Sequence, residues 1–62
     1  MNEKQELVSS FVIQQLDGKE KVESEDIMYL INVFAQINPI TEEQKQEVLR
    51  DVQSKIQISI DK

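Results

Sequence analysis

The chain has no cysteine and no histidine among its 62 residues. Without thiols it can form no disulfide, no thiolate metal site and no nucleophilic sulfur. Without imidazole a zinc site would rest on carboxylates alone, against the preference of zinc for nitrogen and sulfur. Glycine and proline occur once each, so no glycine-rich loop can cradle a phosphate and the elements are barely punctuated. No run approaches the roughly eighteen apolar residues of a membrane span. Met1 to Glu6 is polar and acidic, and serines and glutamines break the apolar run after it, so nothing resembles a secretory leader. These absences lead us to expect a cytoplasmic protein with no cofactor, no metal and no membrane partner.

They also argue against an enzyme. Carboxylates, lysines, hydroxyls and the lone Arg50 remain, and paired carboxylates can do general acid-base work. Yet most of the acids fall in helix-starting turns or on solvent faces, where helix dipoles and solubility explain them. The acidic stretch Asp17 to Asp26 invites comparison with a calcium-binding helix-loop-helix. That loop needs oxygen ligands at alternate positions and a glycine at the sixth. Here Gly18 comes second and Lys19 and Lys21 occupy ligand positions, so the match fails.

A chain this short buries only about 60% of the surface its unfolded form exposes. Small domains compensate with disulfides, metals or self-association, and only self-association is open here. A homo-oligomer is therefore expected. Twelve acids against seven bases give a formal charge of -5, which disfavours phosphate backbones and anionic lipids and favours a partner with a basic surface. The abundance of isoleucine, lysine and glutamine suggests an AT-rich genome, that of a low-GC bacterium or its phage.

The periodicity predicts one all-α domain over residues 1–62, built of three helices. The first covers 3–17. Asn2 is a good N-cap with Gln5 in capping-box spacing, and Leu7, Val8, Phe11, Val12 and Leu16 recur at helical intervals. Gly18 stands where a left-handed C-cap is wanted, and Ile13 falls off the main apolar face. Residues 18–23 read as a solvated loop. The second helix covers 25–37, started by Ser24, Glu25 and Asp26 and ended by Asn38 and Pro39. The third covers 42–58, with Thr41 and Gln44 as its capping box and a narrow apolar stripe of Val48, Leu49, Val52 and Ile56 that Ile60 would extend. Ile56, Ile58 and Ile60 also alternate like a strand. A helix fraying near Ser59 is preferred, because a short strand there has no evident partner in this chain.

Helix 2 is the most informative segment. Ile27, Met28, Leu30, Ile31, Val33, Phe34, Ala35 and Ile37 leave only Tyr29, Asn32 and Gln36 as a polar strip. Its apolar arc spans roughly 220°, whereas a helix lying on one neighbour needs about 100°. We expect the excess to form a protein interface, with Ile27, Met28, Ile31, Phe34 and Ala35 as its residues and Ile13 contributing.

The expected function is that of a small regulatory or adaptor protein that binds and inhibits or titrates a protein partner, with a nucleic-acid-binding protein as one branch of that expectation. A different class would use the same surface for permanent assembly, as a subunit of a phage particle or a transport apparatus. A third would be a helix-turn-helix regulator reading DNA with Gln44, Lys45, Gln46 and Arg50. Glu42, Glu43, Glu47 and Asp51 share that helix and would meet the phosphates, so no direct contact with nucleic acid is expected.

Overall fold

A computed structural model describes residues 1–19, 21–56 and, for the backbone alone, 59–61. The three expected helices are present: α1 over Glu3–Leu16, α2 over Ser24–Ala35 and α3 over Glu42–Lys55. Both expected capping boxes form. The Gln5 amide N–H donates to Asn2 Oδ1 at 2.9 Å and the Gln44 amide N–H to Thr41 Oγ1 at 3.1 Å, while each glutamine side chain accepts from its cap's backbone. Gly18 ends the first helical segment at φ 85°, a left-handed conformation that glycine adopts without a Cβ penalty.

Two short segments depart from the expectation. Lys21–Glu23 is a strand, β1, where a solvated loop was expected, and Ser59–Asp61 is a second strand, β2, where a fraying helix was preferred. The two pair in parallel, Val22 opposite Ile60. The partner strand that the tail needs thus exists within the chain. Its signal was a single apolar residue among charges: Val22 is buried between exposed Lys21 and Glu23, the alternation of a half-buried strand compressed to three residues. Helix α3 stops at Lys55, with Ile56 as its extended C-cap, so it is shorter than the expected 42–58. Residues 57 and 58 lie outside the described residues.

The helices run up, down and up. Gln53 near the end of α3 donates from Nε2 to Ser24 Oγ at the start of α2, at 2.9 Å, which sets these two antiparallel. Phe11 meets Phe34, while Leu16 shares a cleft with Leu30, so α1 and α2 are antiparallel as well. Since β1 follows α1 and β2 follows α3, the strands leave the same end of the bundle and pair in parallel.

The core is aliphatic. Val8, Val12, Leu16, Val22, Ile27, Ile31, Val48 and Val52 form one buried cluster. Two polar side chains are buried with it, and both are satisfied across the α1/α3 interface: Ser9 Oγ donates to Asp51 Oδ2 at 2.6 Å and Gln5 Nε2 to the Gln44 carbonyl at 3.4 Å. Large apolar residues usually go to the interior, yet neither phenylalanine belongs to this cluster. Phe11 and Phe34 are half-buried at the outer seam of α1 and α2, their rings 5.3 Å apart and tilted by 36°.

Candidate docking face

The six residues expected to form an interface do not share one surface. Ile27 and Ile31 are wholly buried and Ala35 nearly so, so the intrachain core consumes them. Met28 lies one turn from Ser24, on the flank of α2 that Gln53 of α3 reaches. Ile13 lies one turn from Ser9, on the flank of α1 that bonds Asp51 of α3. Phe34 is on the opposite flank of α2, against Phe11. Met28, Ile13 and Phe34 are each half-buried against the core, and the two bonded flanks keep Met28 and Ile13 on the α3 side of their helices.

The excess apolar arc of helix 2 nevertheless has a physical counterpart. Two neighbouring helices cover the inner half of α2 and leave Val33 37% and Ile37 74% exposed, with Tyr29 69% exposed beside them. Tyr29 and Val33 are four residues apart, one row along the outer side of α2, and Ile37 lies in the turn just past its end. Half-buried Leu30 and Phe34 continue the row toward α1, where Phe11 and exposed Leu7 take over. Antiparallel packing brings the Leu7 end of α1 to the Ile37 end of α2. A continuous apolar strip thus runs across the seam.

This strip lies in a region without charge. No Asp, Glu, Lys or Arg occurs from Leu7 to Leu16 or from Ile27 to Thr41, although 31% of the chain is charged. The exposed polar residues within those runs, among them Ser10, Gln14, Gln15, Asn32 and Gln36, are neutral. By contrast, α3 carries Glu42, Glu43, Lys45, Glu47, Arg50, Asp51 and Lys55. The molecule therefore has one charge-free apolar side and one densely charged side. Protein interface cores show the same depletion of charge and enrichment in aromatic residues.

No family model, curated protein or solved structure matches this chain.

At the α1/α2 end where β1 enters, Gln15, Leu16, Lys19, Lys21, Asp26, Tyr29 and Leu30 line a cleft of about 280 Å³. That is just below the usual range of small-molecule pockets, roughly 300 to 1,000 Å³. Asp26 within it is occupied locally, since its Oδ2 accepts the Glu23 amide N–H at 3.4 Å. Among the described residues no cluster of acids forms a metal site, and no helix is long and apolar enough to cross a membrane.

Sequence reasoning missed Leu7, Tyr29, Val33 and Ile37 as the exposed members of the face. The usable signal was the gap in the charges, more than the apolar periodicity. Periodicity marks core and docking residues alike, because both are apolar at helical spacing, whereas a solvated helix face normally carries charge.

Proposed function

We propose that this chain is a small non-enzymatic regulatory or adaptor protein that binds a protein partner and acts by occupying it. The observation that carries this reading is the charge-free apolar face of α1 and α2, with Leu7, Tyr29, Val33 and Ile37 exposed on it. Solubility alone would favour charged side chains at such positions, whereas docking favours apolar and neutral ones. A cytoplasmic setting and a partner whose remaining surface is basic belong to the same reading, since the other side of the molecule is acidic at Glu42, Glu43 and Glu47.

Capture from the native host with wild-type and Ile37→Glu baits tests this. Ile37 is largely exposed, so the substitution leaves the core intact while placing a charge on the face. The wild type is expected to retain a stoichiometric protein partner that the variant loses. An Ile37→Glu bait that retains the same partner in the same amount would overturn docking through this face.

A further inference from the structure

We propose that the cleft between the last turn of α1 and the first turns of α2 binds a free α-amino acid with an apolar side chain. This site is distinct from protein docking, and its test needs no partner.

The cleft, about 280 Å³, is divided by polarity. At the end where β1 enters it is lined by Lys19, Lys21 and Asp26, all exposed. Along the helices it is lined by Leu16, Leu30 and Tyr29. Asp26, Tyr29 and Leu30 stand three and four residues apart, so the helical repeat itself stacks a carboxylate, a phenol and an apolar side chain along one flank of α2. Leu16 is only 3% exposed and Leu30 is half-buried, so the apolar end has a floor already removed from water. Local structure fixes the charged end. Gly18 turns the chain at φ 85°, and the Lys19 amide N–H donates to the Leu16 carbonyl at 3.2 Å, which holds Lys19 over the end of α1. Lys21 is placed by its neighbour Val22, anchored in the core at 1% exposure. Asp26 accepts the Glu23 amide N–H through Oδ2 at 3.4 Å, a bond that uses one of its two carboxylate oxygens.

Both signs of charge at one end, with an apolar floor at the other, select the ligand. A simple anion would meet the lysines but also Asp26, and a simple amine would meet Asp26 but also the lysines. A zwitterionic head answers both, its carboxylate toward Lys19 and its ammonium toward Asp26 and the face of the Tyr29 ring. The apolar side chain of the same molecule then lies on Leu16 and Leu30, and the Gln15 amide, which donates and accepts, borders it. Among the described acids from Asp17 to Asp26, only Asp26 lines the cleft, so the acidic surplus of that stretch does not fall on the site. The volume lies below the range of pockets for drug-sized ligands and suits a molecule as small as a single amino acid.

Titration of the full isotope-labelled chain with L-leucine, followed by amide chemical shifts, tests this. Saturable shifts are expected at Gln15, Leu16, Lys19, Asp26, Tyr29 and Leu30, with roughly millimolar affinity, since so small a ligand makes few contacts. Three comparison compounds each remove one part of the match: glycine the apolar side chain, N-acetyl-leucine the ammonium and leucinamide the carboxylate. Each is expected to bind at least about twofold more weakly than leucine. Lys19→Gln and Asp26→Asn change exposed side chains, and asparagine keeps an acceptor for the Glu23 amide. Both variants are expected to retain the helical circular dichroism and to bind leucine about two- to fivefold more weakly. The absence of a saturable shift up to about 50 mM leucine, or shifts centred on α3, overturns the site. Any of the three comparison compounds binding as tightly as leucine, or unchanged leucine binding in both variants, overturns the assignment of a zwitterionic, apolar ligand.

Discussion

At the residue scale, the pair Ser9 and Asp51 shows how a polar contact helps to hold α1 on α3. Burial pushes the Asp51 carboxyl up, but the Ser9 hydroxyl at 2.6 Å and the Lys55 ammonium at 3.1 Å outweigh it and hold the group below its ordinary value of 3.8. The folded state therefore binds the carboxylate form more tightly than the unfolded chain does. Stability from this contact is complete above the unfolded value and is lost as pH falls through the lower folded one. A hydrogen bond to a charged group is worth about 1.5 to 3 kcal/mol. Asp51 retains some solvent access, which discounts the contact to below that range, so replacing the serine should cost about 1 kcal/mol. Urea unfolding at neutral pH should show Ser9→Ala less stable than wild type by that amount, and the gap should narrow once the pH falls through the lowered folded value of Asp51. A gap of equal size above and below that value would mean that Ser9 acts by packing alone. Neither partner of this pair was legible beforehand. Ser9 and Asp51 are polar residues 42 positions apart, and no local rule connects them. For the same reason the sequence could show that Ile27, Ile31 and Phe34 are apolar without showing which of them the intrachain core would consume.

Elements were legible where local rules act and obscure where long-range pairing decides. The capping boxes at Asn2 and Thr41 and the left-handed stop at Gly18 follow from hydrogen-bond geometry within four residues, and all three stand in the structure. The pairing of β1 with β2 does not follow from any local rule. It joins Lys21–Glu23 to Ser59–Asp61 across the whole of α2 and α3, and three-residue strands are too short for periodicity to announce them. Gly18 positions the start of β1, which makes it the natural element-scale test. A Cβ added there would meet nothing within 4 Å, so any cost of Gly18→Ala is torsional. The left-handed conformation costs an L-residue roughly 1 to 2 kcal/mol. Gly18→Ala should lower the unfolding free energy by about that much, seen as a lower denaturant midpoint at unchanged slope, and Gly18→Asn by less, since asparagine tolerates this region better. Equal midpoints for glycine and alanine would show that the turn can relax to negative φ without loss.

At the scale of the whole molecule, the distribution of charge separates protein docking from DNA reading. A helix-turn-helix would present the outer face of α3, where Glu43, Gln46, Glu47 and Arg50 are exposed. Of the two bases that could contact phosphate there, Lys45 donates to Glu42 at 3.2 Å with its side chain only 17% exposed. Arg50 borders a shallow recess shared with Glu47 and Asp51. Both cations therefore stand beside acids of their own helix, and the face they share is net negative. DNA affinity grows with the number of phosphates neutralised, each contributing a release of counterions that salt opposes. Two locally compensated bases provide little of that term, and the charge of -5 on the whole chain opposes approach at long range. At physiological salt, micromolar protein should leave random duplex DNA unshifted in an electrophoretic assay. Lowering the salt should not reveal a complex, because weaker screening strengthens the repulsion as well. A clear shift that Arg50→Ala and Lys45→Ala each weaken, with an affinity falling steeply as salt rises, would instead make α3 a nucleic-acid surface and leave the α1/α2 face to hold the binding units together.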